Sequence, residues 1–93
     1  MEETLYLTNL YEYYKKLLTE KECSYFEDYY FDNLTMEEIA DNNGISKNAV
    51  SKSLIEVKNK LNDYELKLNL YSNYLKIKDN VDDETLEKIK NYI

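Results

Sequence analysis

Four polar side chains at the start of one predicted helix are the residues of this sequence best suited to chemistry on a partner molecule. They are Lys47, Asn48, Ser51 and Lys52. Their spacing places them on neighbouring positions of a helix surface. Asn suits an adenine edge, Ser a base or a phosphate, and Lys a phosphate or guanine. The sequence therefore predicts a contact with DNA or RNA here, with plain solvent exposure of a polar helix face as the alternative.

The sequence contains no motif typical of a catalytic or metal-binding site. The sequence has no His, a single cysteine without a nearby base, and only one Gly, so it has no Gly-rich phosphate loop. The acidic groups at residues 37–41 and 79–84 lack the spacing of a calcium loop and suit helix N-termini. We expect no enzyme activity, no metal and no cofactor, and we expect Cys23 to be a small structural residue.

A helix-turn-helix over residues 35–61 is predicted to position the four polar residues. Two helices that cross steeply need a small residue where they touch and often a Gly in the turn, and Ala40 and Gly44 provide these. In that geometry the first residues of the second helix face the major groove. The predicted core of the motif is Ile39, Ala40, Gly44, Ile45, Val50 and Leu54.

Capping signals predict where several helices begin and end. Residues 19–22 and 35–38 both match the capping box, and Asn-Asn-Gly at 42–44 is typical of a helix C-terminus. Together with the apolar spacing, these signals predict helices over about 3–17, 20–32, 36–42 and 83–92.

The composition indicates an all-α fold. The 93 residues suit one small domain, 43% are apolar and 33% charged, and no Pro is present. No apolar segment is long enough to span a membrane and no basic flank precedes one at the start, so we expect a cytoplasmic protein. The net charge of −7 is uneven: −8 over residues 1–45, +4 over 46–78 and −3 over 79–93. Net positive charge is confined to the segment that contains the predicted contact, and Lys58 and Lys60 are expected to extend the positive surface there.

Apolar residues recur at alternating spacings of four and three from Val50 to Leu75 and form a seam that continues past the end of the motif. No helix-breaking residue is apparent before residues 79–80. This predicts one continuous helix. Its first members, from Val50 to Leu61, are expected to pack within the domain, whereas the later members, Tyr64, Leu68, Tyr71 and Leu75, are expected to pack against a second copy. Folding back onto the C-terminal helix is the alternative for the later members. We thus expect a helix-turn-helix domain over 1–62 and a dimerisation segment over 63–93.

Eleven tyrosines are present, including the pairs at 13–14 and 29–30. Tyrosine rings can stack on the bases of single-stranded nucleic acid, but such platforms usually carry interleaved basic residues. We therefore expect these rings to serve mainly in core and interface packing.

The segments 17–21, 29–40, 44–50 and 61–71 together resemble the YlxM-like family, whose helix-turn-helix is similar to region 4 of sigma-70 factors. The resemblance covers about residues 5–76, and it places the reading helix at Ser46 to Lys52. The family usually has Arg in place of Lys47 and often Gln in place of Asn48. This resemblance implies a sigma-70 region-4-like domain with a long C-terminal helical extension, about five to six helices in all.

The resemblance also implies a homodimer with a regulatory role in the signal recognition particle pathway. The implied partners are the protein of that particle or its receptor, and DNA or RNA through the helix-turn-helix. In a dimer, the two reading helices would lie about one DNA turn, roughly 34 Å, apart. A sigma-like DNA-binding transcriptional regulator is the alternative function.

Overall fold

Five α-helices form the part of the chain that the computed structural model describes, residues 2–78, and this part contains no strand. The all-α prediction is confirmed, whereas the helix predicted over 83–92 lies outside the described residues. None of the described helices is long and apolar enough to cross a membrane. The helices are α1 (Glu2–Tyr14), followed by a 3₁₀ turn (Lys15–Leu17), then α2 (Glu20–Tyr30), α3 (Met36–Asn43), α4 (Lys47–Leu68) and α5 (Leu70–Lys78).

Both predicted capping boxes are present. The Thr19 hydroxyl accepts a hydrogen bond from the backbone N–H of Glu22 at 3.1 Å, and the Glu22 carboxylate accepts one from the backbone N–H of Thr19 at 2.9 Å. Thr35 and Glu38 repeat this arrangement at 3.1 and 3.0 Å. These bonds satisfy N–H groups that have no helical carbonyl to donate to. The starts of α2 and α3 are therefore encoded locally.

The core consists of two clusters, and α4 contributes to both. Its first buried residues, Val50 and Leu54, pack with α2 and α3, while Val57 and Leu61 pack with α1 and α2. The first half of the apolar seam therefore packs within the chain, as predicted. The cluster near the turn contains Tyr25, Ile39, Ala40, Val50 and Leu54, and the other contains Leu7, Leu10, Tyr11, Tyr14, Phe26, Val57 and Leu61.

The prediction of one continuous helix to residue 79 is wrong. α4 ends at Leu68, and α5 begins at Leu70 after Asn69 adopts the left-handed conformation (φ 53°, ψ 28°). Asn tolerates this conformation better than most residues other than Gly. The Asn69 N–H still donates to the carbonyl of Glu65 at 2.8 Å, which closes the last turn of α4. The apolar seam therefore changes direction at Asn69.

A buried carboxylate stabilises the start of α5. Glu65, only 8% exposed, accepts hydrogen bonds from the Tyr14 hydroxyl at 2.5 Å and from the backbone N–H groups of Tyr71 and Ser72 at 3.2 and 3.0 Å. The Tyr14 oxygen itself accepts from the N–H of Leu70 at 3.1 Å. A negative charge is favourable beside the free N–H groups of a helix start. Glu65 thereby connects α1, α4 and α5.

The bend directs α5 onto α1, a packing that the sequence did not indicate. The Tyr71 ring lies 6.0 Å from that of Tyr6, centroid to centroid, and its hydroxyl accepts a hydrogen bond from Asn9 at 3.2 Å. Tyr64 packs against Tyr14, with ring centroids 5.9 Å apart. Of the four residues expected to face a second copy, Tyr64 and Tyr71 are thus half-buried within the chain. The other two, Leu68 and Leu75, are 48% and 41% exposed.

Candidate nucleic-acid interface

The turn between α3 and α4 has the geometry that a helix-turn-helix needs. Gly44 follows α3 with φ +65° and ψ 33°, a conformation that suits Gly because it has no side chain. Two backbone hydrogen bonds close the turn onto α3: Gly44 donates to the carbonyl of Asp41 at 3.4 Å, and Ile45 to that of Ala40 at 3.1 Å. Ser46 then caps α4, since its hydroxyl accepts from the N–H of Ala49 at 3.1 Å.

The apolar residues predicted for the motif lie on both sides of this turn. Ile39 and Ala40 of α3 are buried against Val50 and Leu54 of α4, and Ile45 is half-buried beside them. Tyr25 of α2 completes this cluster, and the sequence analysis did not include it. Its i−4 spacing from Tyr29, which also packs there, is the signal that would have found it.

The four candidate contact residues lie at the start of α4, in the first two turns. Lys47, Asn48 and Lys52 are exposed, and Ser51 is half-buried. No acidic residue occurs from residue 42 to residue 55, so the sequence around the start of α4 contributes positive charge only. These side chains can donate hydrogen bonds to phosphates or base edges, which is the chemistry expected of a reading helix.

Nearby acidic residues reduce the positive charge that this surface offers. The Lys47 ammonium lies 3.4 Å from the carboxylate of Glu37 at the start of α3, and both side chains are well exposed. Lys52 forms no ion pair with any residue between 2 and 78. The sequence analysis missed Glu37 because the approach of the two helix starts is set by the fold. Of the two lysines at the start of α4, Lys52 is thus the more available to a partner.

Lys58 and Lys60, expected to extend the positive surface, are instead engaged with acidic residues of other helices. Lys58 is paired with Glu3 of α1, and Lys60 lies 2.6 Å from the Glu22 carboxylate of α2. Burial tends to raise the pKa of Glu22, but the hydrogen bonds from Lys60 and from the Thr19 backbone outweigh it, so that pKa is lowered. These two lysines hold α4 against its neighbours, and the positive surface is correspondingly smaller.

A cleft of about 630 Å³ borders the reading helix on the side of Lys47. Polar groups of the α2–α3 connection, including Asn33 and Thr35, line it together with Glu37. Within residues 2–78, no group of three or more His, Cys, Asp and Glu side chains is placed to hold a metal ion. The polar side chains that line the cleft can form hydrogen bonds and ion pairs.

Taken together, the five helices and the glycine turn define an all-α helix-turn-helix protein. A comparison with family models agrees: the model of UPF0122, described as "Putative helix-turn-helix protein, YlxM / p13 like", matches residues 1–92. The chain belongs to this family. The resemblance seen in the sequence is confirmed, and the match extends past residue 76 into the C-terminal segment.

Relatives in streptococci match over nearly the whole chain. A UPF0122 protein of Streptococcus thermophilus (strain ATCC BAA-491 / LMD-9) is 38% identical over 88 residues, which cover 95% of this chain and 79% of the relative. A UPF0122 protein of Streptococcus pneumoniae (strain Hungary19A-6) shows the same identity and coverage.

Proposed function

We propose that this protein is a regulatory protein of the signal recognition particle pathway that binds nucleic acid through the first two turns of α4. The observation that carries the nucleic-acid part is the exposed start of α4, free of acidic residues and held by the αL turn at Gly44. The pathway is taken from the resemblance of the sequence to the YlxM-like family.

Binding is tested with fluorescently labelled duplex DNA and RNA in anisotropy titrations at low salt. Lys47→Ala and Lys52→Ala should weaken binding, and each should reduce the salt slope by about 0.9 per chain on duplex DNA. Lys21→Ala is the control, because Lys21 is an exposed lysine of α2 that lies outside both α4 and the segment 63–93. Equal losses in all three variants, or no binding to either nucleic acid, would contradict the proposal.

The ion pair of Lys47 gives a second test in the opposite direction. Glu37→Gln releases Lys47 and removes a negative charge beside the contact surface, so it should strengthen binding. Asp41→Asn removes the same charge from the same helix without an ion pair to Lys47. A stronger gain from Glu37→Gln than from Asp41→Asn indicates that Lys47 contacts the nucleic acid; equal gains indicate only reduced general repulsion.

We propose in addition that two copies associate through residues 63–93 and that residues 1–62 form the helix-turn-helix domain. Support comes from the exposed apolar side chains Leu66, Leu68 and Leu75 within that segment. Leu68→Glu and Leu75→Glu should shift sedimentation toward the monomer. Leu17→Glu serves as the control, since Leu17 is somewhat more exposed, at 54%, but lies outside the segment. A wild-type monomer at micromolar concentration would refute the dimer.

The regulatory part is tested with the protein subunit of the signal recognition particle and its receptor. Co-elution and a change in GTPase rate are expected, whereas a sigma-like transcriptional regulator should instead co-elute with RNA polymerase and bind a promoter. The two functions share the helix-turn-helix surface, so the partner protein separates them.

A further inference from the structure

A pocket of about 540 Å³ lies between α1 and α5 and shares no residue with the start of α4. Three half-buried tyrosines line it: Tyr13, Tyr71 and Tyr74. The Tyr13 ring centroid lies 5.8 Å from that of Tyr71 and 6.1 Å from that of Tyr74. This volume is within the usual range of small-ligand sites, roughly 300–1,000 Å³. The bend at Asn69 creates this pocket, because it brings the α5 rings to α1.

Two lysines of the 3₁₀ turn line the same pocket. Lys15 and Lys16 are exposed and line the pocket, although the first 45 residues contain only three lysines against eleven acids. Lys15 lies 3.2 Å from Glu12 in an exposed pair that an incoming anion can replace at small cost. Lys16 forms no ion pair with any residue of the described range 2–78. The fold thus brings Tyr71 and Tyr74 to Tyr13 and to the two lysines that follow Tyr13 closely in the sequence.

We propose that this pocket binds an unpaired nucleotide, with the base against the tyrosine rings and the phosphate at Lys15 and Lys16. Base stacking on aromatic rings together with lysine contacts to the backbone is how proteins hold single-stranded nucleic acid. Inorganic phosphate would contact the lysines but not the three rings, and an apolar peptide would contact the rings but not the lysines. The Glu12 carboxylate and the Asn9 amide add polar groups that can contact a base edge.

The protonation state of the Tyr13 hydroxyl is compatible with a phosphate nearby. Burial, and then the neighbouring hydroxyls of Tyr74 and Tyr71, raise the pKa of Tyr13 to about 12. Tyr13 is therefore neutral at physiological pH and adds no negative charge to the site.

The nucleotide can be a free mononucleotide or part of a single strand, and two probes separate these sources. Uridine 5′-monophosphate and a twelve-residue oligouridine RNA are titrated separately into the full chain. Binding is monitored by amide and tyrosine NMR signals and by anisotropy. We expect shifts at residues 9–16 and 71–74. Saturation by the mononucleotide identifies a free ligand, and saturation only by the RNA identifies a strand.

Variants test the two halves of the site separately. Tyr74→Leu keeps an apolar side chain but removes the ring, and should weaken binding by roughly 5- to 150-fold, the contribution of one stacked base. Lys16→Gln should reduce the salt slope for RNA by about 0.7, the value for one phosphate contact of a single strand. Lys21→Gln, an exposed lysine of α2 outside the pocket, should leave that slope unchanged.

The result that overturns the proposal is an absence of shifts at residues 9–16 and 71–74 with both probes, or equal effects of Lys16→Gln and Lys21→Gln. If Tyr74→Leu displaces α5, Lys16→Gln still tests the site. Lys52→Gln with duplex DNA is measured in parallel. Failure of that arm counts against the helix-turn-helix contact alone, because the two sites share no residue.

Discussion

Glu65→Gln is the change that most directly tests how α5 is held. The carboxylate accepts three hydrogen bonds, from the Tyr14 hydroxyl and from the N–H groups of Tyr71 and Ser72. A Gln side chain has one oxygen and one NH₂ group, so it must turn a donor toward one of these three donors. A hydrogen bond to a charged group contributes about 1.5–3 kcal/mol, and an unsatisfied buried donor costs about 1–3 kcal/mol. We expect a net loss of about 2–3 kcal/mol in the docking of α5.

Hydrogen exchange measures this loss at the residues concerned. If α5 opens as a unit, the Tyr71 and Ser72 amides should exchange about 30- to 140-fold faster in the variant, because each 1.4 kcal/mol is a factor of ten. Amides of Val57 and Leu61, in the buried centre of α4, should change less. Glu56→Gln is the control, since it removes the same charge from an exposed position of the same helix.

Two results would refute this reasoning. Exchange of the Tyr71 and Ser72 amides that matches the Glu56→Gln control means that the carboxylate contributes nothing beyond its charge. An equal acceleration at Leu61 means that α5 is not a separable unit and that the whole domain opens together.

Three further changes test the turn, the bend and an ion pair. Gly44→Ala should lower the free energy of unfolding by about 1–2 kcal/mol. The cost comes from the backbone, because φ is +65° at this position and a Cβ atom there would meet no other atom within 4 Å. Urea denaturation measures the loss, with Asn42→Ala, at an exposed position, as the control. Asn69→Gly should leave the stability of the protein unchanged, and Asn69→Ala should lower it by about 1 kcal/mol. In a continuous helix the Ala variant would be the more stable of the two, so thermal unfolding of both variants tests the bend. The pKa of Glu22 is lower in the folded state than in the unfolded state. The stabilisation that the Glu22 carboxylate provides is therefore complete above the unfolded-state pKa and is lost as the pH falls through the folded-state pKa. Glu22→Gln should therefore be less stable than wild type at pH 7, with a smaller difference near pH 3 by urea titration.

The helix starts were predictable because their determinants lie within four residues along the chain. Thr19 and Thr35 each bond to a Glu three positions later, and Gly44 is the single glycine in the chain. The bend at Asn69 was not predictable in this way. Its stabilising partners include Tyr14, which lies 51 residues from Glu65 in sequence. A local pattern of apolar spacing contains no information about such a distant hydroxyl.

The sequence-based prediction of the charge at the interface was incomplete for the same reason: it depends on residues that are distant in the sequence. Lys58 and Lys60 belong to a positive segment of the sequence, and only the packing of α4 against α1 and α2 places Glu3 and Glu22 beside them. Among the candidate site residues, the burial of Ile39 and Val50 followed from spacing, whereas the pairing of Lys47 with Glu37 required the crossing of two helices. Spacing along one helix indicates which face is polar, but charge at a surface depends on every neighbouring element.

Lys58 and Lys60 pair within the fold, whereas Lys47 and Lys52 are proposed to contact nucleic acid. Stability and binding should therefore respond differently to salt. The pairs of Lys58 and Lys60 assist a domain held mainly by two apolar clusters, and partly exposed ion pairs contribute little to stability, so moderate salt should leave the fold intact. Binding to duplex DNA is more sensitive. With two phosphates contacted by Lys47 and Lys52, affinity should fall about 12-fold between 50 and 200 mM salt, and with four, as in a dimer, about 150-fold. Helical circular dichroism should be constant over the same range. Because the two exponents differ by a factor of two, this one titration reports how many copies of α4 contact the DNA. A salt-independent affinity would exclude the lysines as its source.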